Sequence, residues 1–175
     1  MPGPNKRPAI PNPQQKVYKM KHKKIIMLVA SGLIIISLAA IITNNDRLLG
    51  GFSRQLFSLK LPEKTSLIET RNICGKLNGN GNSMDFLACI LIETELDIHQ
   101  LEEYYENIKF KSVKKERGYS PQAKMVKLLG NKLETEYLKH GSIVFSGINE
   151  KLDSEKYFVV FIYDGGYESF DIRGH

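Results

Sequence analysis

An uninterrupted apolar segment, residues 25–42, is the feature that most constrains this chain. It contains 18 residues and no charged side chain. As an α-helix with a rise of about 1.5 Å per residue, it would be about 27 Å long, enough to cross the hydrocarbon core of a bilayer. We therefore predict a single transmembrane helix at residues 25–42.

The charges around this segment predict its orientation. Residues 1–24 contain seven Lys and Arg and no acidic residue, and the positive-inside rule keeps such a flank in the cytoplasm. Without these seven cations, 18 Lys and Arg stand against 19 Asp and Glu, so the net charge of +6 belongs to the N-terminal flank. Nucleic-acid binding would require basic residues on the folded surface. We therefore expect the lipid bilayer, and not nucleic acid, as a partner.

A cleaved signal peptide is the alternative to an anchor. Both begin with a basic region and an apolar stretch, and residues 37–39 (SLA) imitate a cleavage site. The apolar region of a signal peptide is shorter, however, at about 7–15 residues, and here the apolar run continues beyond the site. We predict an uncleaved anchor in the cell membrane, with the C-terminal domain outside the cytoplasm in either case.

The remaining segments have separate predicted roles. Residues 1–24 form a disordered basic cytoplasmic tail, because they lack the apolar residues needed to fold. Residues 43–60 form a juxtamembrane linker, in which Phe52 and Leu56 continue a helical apolar spacing. These side chains either lie on the outer membrane surface or pack onto the following domain, and the pattern favours neither. Residues 61–175 are long enough for one extracytoplasmic domain.

This domain is predicted to be α+β, with an antiparallel sheet of four or five strands and about two helices on one face. It begins with a β-hairpin, since apolar runs flank the Asn- and Gly-rich residues 78–82, and Asn-Gly favours a tight turn. Asp97 and Gln100 match a capping box at a helix start. Residues 157–163 are apolar at successive positions, which is typical of a central strand with helix on one side.

The other elements follow from local patterns. The expected strands are 67–77, 84–94, 110–116, 142–146, 157–163 and 167–172, with a turn at 164–166, and the expected helices are 98–107 and 120–139. A strand at 124–129 is the alternative to helix in that part of 120–139, and the sequence leaves the choice open.

The two cysteines, Cys74 and Cys89, lie one on each arm of the predicted hairpin. Facing residues on antiparallel strands bring their Cβ atoms to about 4.5–5.5 Å, close to the range of a disulfide. Because an exported domain meets oxidising conditions, we predict a structural disulfide between them. Two reduced thiols in the core are the alternative.

The C-terminal residues form a candidate functional cluster. Asp171, Arg173 and His175 offer a carboxylate, a guanidinium and an imidazole within five residues. If this segment is a strand, Asp171 and Arg173 share a face, so a surface ion pair is the simpler interpretation.

Two further motifs are weaker. His99, Glu102 and Glu103 have a helical spacing that can bind a metal, but glutamates are common on helix surfaces, and we expect a solvated face and no metal. Ser112 and Lys115 match the S-x-x-K pattern of serine acyl-enzymes, yet a strand would place them on opposite faces. We predict no catalytic residue and no cofactor.

Residues 73–81 (ICGKLNGNG) and 171–175 (DIRGH) resemble the corresponding parts of small uncharacterised single-pass membrane proteins of Gram-positive bacteria. Those proteins have no assigned activity. The resemblance therefore implies an address in the cell envelope and no particular chemistry.

These features favour an interaction module over an enzyme. The anchor holds the domain near envelope and membrane proteins, and the sequence offers no nucleophile with a neighbouring base and no metal motif. We expect a non-catalytic module that binds an envelope or membrane protein. The alternative is a small envelope hydrolase whose acid and base groups meet only in the fold. Those groups would come from Glu93, Glu95, Asp97, His140 and Asp171.

Overall fold

A computed structural model describes residues 13–79, 83–114, 118–148 and 156–168. The chain divides into two compact units, Met1–Ala40 and Ile41–His175. The helices are α1 (Pro13–Phe57) and α2 (Ile98–Glu106). The strands are β1 (Thr65–Gly75), β2 (Ser83–Thr94), β3 (Ala123–Lys127), β4 (Lys132–Leu133), β5 (Ile143–Val144) and β6 (Tyr157–Glu168). The predicted α+β class is confirmed.

Helix α1 begins at Pro13, inside the tail predicted to be disordered, and it continues beyond the apolar segment. Within the described residues, His22–Phe57 is the one helix long and apolar enough to cross a membrane, a property that signal sequences share. Side chains of the apolar run are exposed, as at Leu28 (75 %) and Ile36 (66 %). The last turns of α1 belong to the second unit, where Phe52 and Leu56 are buried in the core. Of the two alternatives for the linker, the structure shows the second, in which its apolar side chains pack onto the domain.

A four-stranded antiparallel sheet, in the order β1-β2-β6-β3, forms the centre of the second unit. The inner strands β2 and β6 are 12 residues long each. A separate two-stranded ladder joins β4 to β5. The predicted hairpin is present as β1 and β2, and the predicted central strand is β6. Residues 80–82 of the expected hairpin turn lie outside the described residues.

Different elements cover the two faces of the sheet. Because side chains alternate along a strand, each inner strand contributes side chains to two hydrophobic cores, one on each face of the sheet. On one face, here called the helical face, Ile90 and Val160 pack with Leu101 of α2 and with the end of α1. On the other, the loop face, Leu91 packs with Leu133 of β4 and with β5. Helix α2 has the expected capping box, in which Asp97 and Gln100 bond to each other's backbone N–H.

The predicted disulfide between Cys74 and Cys89 is wrong, because the hairpin register differs from the one assumed. Cys74 faces Phe86, and Cys89 faces Arg71. Phe86, the residue opposite Cys74, is three residues before Cys89 on β2. Because side chains alternate along a strand, an odd number of residues places the two thiols on opposite faces of the sheet. Cys74 lies in the helical-face core and Cys89 in the loop-face core, and neither forms a disulfide.

Both cysteines are expected to resist alkylation in the folded protein. Burial leaves Cys74 3 % and Cys89 0 % exposed, and it raises the pKa of Cys89 to about 12. Since the thiolate is the reactive form, a maleimide at neutral pH should leave the native protein unmodified by mass spectrometry. The same reagent in concentrated guanidinium chloride should label both residues. Rapid labelling of the native protein, or an intact mass that indicates a disulfide, would contradict this account.

The chain between α2 and β6 departs from the predicted elements. The expected helix at 120–139 is wrong; the open alternative, a strand, is present as β3, and β4 follows Gly130. Ala123 and Met125 pack towards the helical face, whereas Val126 packs towards the loop face, which is the alternation of a strand. The described part of the expected strand at 110–116 is irregular.

The predicted turn at residues 164–166 is also wrong, because β6 continues through it. The register between β2 and β6 shifts at this point, so the two glycines form a bulge. A Cβ atom on Gly165 would overlap the carboxyl group of Asp85 and the hydroxyl of Tyr163. Gly166 has a φ of 77°, a conformation that favours glycine. The glycine pair therefore permits a close approach and does not reverse the chain.

Candidate docking groove

The C-terminal cluster predicted from Asp171, Arg173 and His175 lies outside the described residues and stays a prediction. On α2, His99 Nδ1 is 3.5 Å from Glu102 Oε2, and both side chains are exposed. No group of three His, Cys, Asp or Glu within the described ranges has a geometry that could hold a metal ion.

Four of the five groups considered for an envelope hydrolase lie at two ends of the sheet, and the fifth, Asp171, lies outside the described residues. Glu93, Glu95 and Asp97 follow one another at the end of β2, and Asp97 is occupied as the cap of α2. The backbone N–H of His140 donates to the carbonyl of Leu77, 3.0 Å away, beside the hairpin end of β2. At about 3.3 Å per residue, the length of β2 separates the two ends by about 36 Å. The fold does not bring these groups together.

Asp85 is a buried carboxyl group that the sequence analysis missed, with an exposed fraction of 1 %. Its Oδ2 accepts hydrogen bonds from the N–H groups of Leu77 at 3.1 Å and Asn78 at 2.9 Å. Its Oδ1 accepts a bond from the N–H of Gly166 at 2.8 Å. Burial and the neighbouring Asp85 raise the pKa of Tyr163. Asp85 thus joins the hairpin loop to the bulge in β6.

Asp164 is a second buried carboxyl group and was missed in the same way. Its Oδ2 accepts bonds from the Ser112 hydroxyl at 2.8 Å, the Val113 N–H at 2.7 Å and the Tyr167 hydroxyl. The hydroxyls of Ser112 and Tyr167 are also 2.6 Å apart. Ser112 of the S-x-x-K pattern therefore donates to a carboxyl oxygen that also accepts bonds from Val113 and Tyr167, and Lys115 of the pattern lies outside the described residues. The network anchors an irregular segment to the sheet.

The two edges of the sheet differ. At β1, the carboxyl group of Glu69 accepts bonds from the N–H groups of Ser146 at 2.8 Å and Gly147 at 2.9 Å, so the loop after β5 lies against this strand. Burial acts to raise the pKa of Glu69, but these bonds and the nearby Arg71 lower it. At the opposite edge, β3 has no neighbouring strand beyond it in the described parts of the chain. β3 is the open edge.

The hydrogen-bond pattern shows which backbone groups β3 presents. The N–H of Leu128 donates to the carbonyl of Tyr157 at 3.0 Å, and this pair continues the register of β3 on β6. In an antiparallel ladder, every second residue bonds to the partner strand. Counting back from Leu128, Ala123 and Met125 are the intervening residues, so their N–H and C=O groups point away from β6. A further strand would pair with these groups.

A groove separates β3 from α2 on the helical face, and its volume is about 660 Å³. Its walls are His99, Glu102, Glu103, Tyr105 and Glu106 of α2 together with Gln122, Ala123, Lys124 and Met125. The three glutamates make the α2 wall acidic.

Tyr105 lines this groove, and its buried hydroxyl is unsatisfied within the described residues. The residue is 1 % exposed, and its hydroxyl has no hydrogen-bond partner within the described residues. Burial raises the pKa of Tyr105 to about 12, so the phenol keeps its proton at neutral pH. A buried polar group without a partner costs about 1–3 kcal/mol. A ligand that bonds to this hydroxyl would recover part of that cost.

A smaller pocket of about 220 Å³ adjoins β3 on the loop face. Tyr119, Lys124, Tyr137 and Tyr163 line it. The Lys124 ammonium lies 4.4 Å from the centre of the Tyr137 ring, donates to the Tyr137 hydroxyl and is 3.5 Å from a carboxyl oxygen of Glu136. The hydrogen bond to Tyr137 raises the pKa of Lys124. An added strand would therefore alternate its side chains between this pocket and the acidic groove.

Comparison with known proteins gives no match: no family model, no curated protein and no solved structure matches the chain. The resemblance to Gram-positive membrane proteins stays a prediction.

Proposed function

We propose that this protein is a membrane-anchored interaction module that binds an extended segment of an envelope or membrane protein. Its apolar helix crosses the cell membrane once, with the N-terminus in the cytoplasm and the unit Ile41–His175 outside. The partner segment adds to the open edge of the sheet at β3.

The anchor is supported by the exposure of the apolar helix and by the charges before it. None of the apolar stretch of α1 is buried within the structure, so its side chains require another apolar environment. A bilayer supplies one, and seven Lys and Arg on the N-terminal side favour retention of that flank in the cytoplasm.

The open edge at β3 is the observation that carries the binding function. Unpaired N–H and C=O groups on an edge strand are a template for pairing with another chain, and proteins commonly cover or blunt such edges. Here the loop after β5 lies against β1, while β3 faces a groove on one side and a pocket on the other. Main-chain bonds along the edge and cavities for alternate side chains are the two components of recognition by strand addition. No observation in the described ranges favours the hydrolase alternative.

Proline at position 123 tests the binding function. The N–H of Ala123 points away from β6, so Ala123→Pro removes a docking donor without removing a ladder bond. The loss of one bond and the steric block should weaken partner binding by about tenfold. The full-length protein would be crosslinked in intact cells, and the proteins that co-purify with Ala123→Pro and with the control Ala123→Ser would be compared by mass spectrometry.

The proposal is supported if one partner co-purifies with the wild type and with Ala123→Ser but not with Ala123→Pro. The three proteins must also have melting temperatures within a few degrees of each other. A partner that Ala123→Pro retains at wild-type level would reject docking at β3. If Ala123→Pro unfolds, N-methylation of alternate residues in the captured partner segment makes the same test from the other side of the interface.

A further inference from the structure

We propose that the segment docked on β3 is basic, with Lys or Arg at alternate positions facing α2. This inference rests on the proposed function and adds the chemistry of the ligand. It follows from the juxtaposition of an open strand edge, an acidic helix wall and an unsatisfied buried hydroxyl.

The side chains of a strand docked on β3 would point alternately to the two faces of the sheet. A strand paired with Ala123 and Met125 would continue the alternation of the sheet, so every second side chain would project towards the helical face. Ala123 and Met125 themselves pack towards that face. The groove between β3 and α2 therefore receives alternate side chains of the docked segment.

The side chains that line the groove determine which charges a docked segment can carry. Glu102, Glu103 and Glu106 line the groove and are exposed, and His99 is within reach of Glu102. Lys124 also lines the groove, but its ammonium is bonded to Tyr137 and close to Glu136 on the loop face. The charges that face the groove are therefore mainly negative, which favours Lys and Arg in the ligand and disfavours Asp and Glu.

The unsatisfied hydroxyl of Tyr105 is a third feature that favours a basic ligand. Its phenol has both a proton to donate and lone pairs to accept, and it has no partner in the described part of the chain. An ammonium or guanidinium that enters between the glutamates can donate to the phenol oxygen. The hydroxyl thus gives the groove a polar contact at depth, in addition to the acidic rim.

Defined peptides test this inference. The probe is a peptide of alternating Lys and Thr with blocked ends, because extended backbone would bring all its lysines to one face. The comparison peptides replace every Lys with Gln or with Glu. Binding is measured by fluorescence anisotropy to the full-length protein in nanodiscs of zwitterionic lipid, so that the lysines have no anionic bilayer to bind. Empty nanodiscs provide the background.

We expect the Lys peptide to bind about tenfold more tightly than the Gln peptide at low salt, and the Glu peptide to bind more weakly still, since several exposed ion pairs act together. The preference should decrease as salt is added.

Charge-matched variants locate the effect. The groove variant carries Glu102→Gln, Glu103→Gln and Glu106→Gln. The control variant carries Glu63→Gln, Glu95→Gln and Glu134→Gln, which are exposed sites away from the groove. The groove variant should lose the preference for the Lys peptide, and the control should keep it. Tyr105→Phe should weaken Lys-peptide binding by several-fold without loss of thermal stability, because no described hydrogen bond is removed.

The outcomes separate the inference from the proposed function. Equal binding of the Lys and Gln peptides that Ala123→Pro abolishes would overturn the basic ligand and leave docking at β3 standing. A Lys preference that survives in the groove variant would overturn the placement in the groove. Lys-peptide binding that Ala123→Pro does not change would reject strand addition itself, and no binding of any peptide would overturn the inference.

Discussion

Replacement of Asp85 with alanine is expected to lower the free energy of unfolding by about 2–4 kcal/mol, because the backbone N–H groups that it binds lose their acceptor. The carboxyl group accepts three backbone N–H bonds, from Leu77, Asn78 and Gly166. Leu77 is buried, so its N–H would lose its acceptor away from water, at about 1–3 kcal/mol for a group that finds no substitute; Asn78 is half-buried and Gly166 is exposed, so their N–H groups cost less. The hairpin loop and the bulge in β6 would lose the group that joins them.

A graded series makes this prediction specific. Asp85→Asn keeps one acceptor oxygen of the two, so it should destabilise less than Asp85→Ala. Asp97→Ala removes an aspartate from the exposed cap of α2 and should cost only about 1 kcal/mol. Chemical denaturation followed by circular dichroism measures all three variants. An Asp85→Ala protein as stable as Asp97→Ala would show that the buried network does not hold the domain together.

Two arginines in the middle of the apolar helix are expected to release the protein from the membrane. Ile34 and Ile35 are 60 % and 66 % exposed. Arginine at the centre of a membrane span costs about 2.5–3.5 kcal/mol per residue on the insertion scale, so the double variant opposes insertion by about 5–7 kcal/mol. Ile34→Arg with Ile35→Arg should move most of the protein from the alkaline-washed membrane fraction to the soluble fraction.

The control introduces the same two charges elsewhere. Leu67 and Val144 are exposed apolar residues of the second unit, at 47 % and 49 %. The double variant Leu67→Arg, Val144→Arg should remain in the washed membranes. The wild type should also remain there, with residues 1–42 still attached. Protease added outside intact cells should digest the Ile41–His175 unit of the wild type but not that of the Ile34/Ile35 variant. A wild type that appears soluble and shortened would support a cleaved signal peptide instead.

Several elements were predictable because their signals are local. Asp97 and Gln100 form a capping box within four residues, and the structure uses it to start α2. The Asn- and Gly-rich residues 78–82 separate two apolar runs that pair as β1 and β2. Residues 157–163 are apolar on both faces, and the resulting strand lies between two others. In each case the adjacent sequence contains both the pattern and its cause.

Other features depended on contacts between distant parts of the chain. The position of Cys74 and Cys89 on the two arms of the hairpin does not fix its register, and a register shift of one residue moves every side chain to the other face. Ala123–Lys127 is short enough to suit a helix or a strand, and its pairing with β6 makes it a strand. The glycines at 165 and 166 have the composition of a turn, but the crowding by Asp85 makes them a bulge.

The candidate site was hidden for the same reason. The groove is formed by α2 and β3, and the sequence left the choice between helix and strand open in the region of β3. Asp85 and Asp164 did leave a signal, since each is an acidic residue within an apolar strand. A buried carboxyl group needs several donors, so such positions predict a loop that folds back onto the strand.

The most direct test of docking at β3 is site-specific photocrosslinking in intact cells. A photoreactive amino acid at Gln122 would lie on the wall of the groove, and one at Thr70 would lie on β1 at the opposite edge of the sheet. We predict that position 122 yields a discrete adduct whose crosslinked peptide is extended and rich in Lys or Arg, and that position 70 yields none. An adduct from position 70 without one from position 122 would contradict the account.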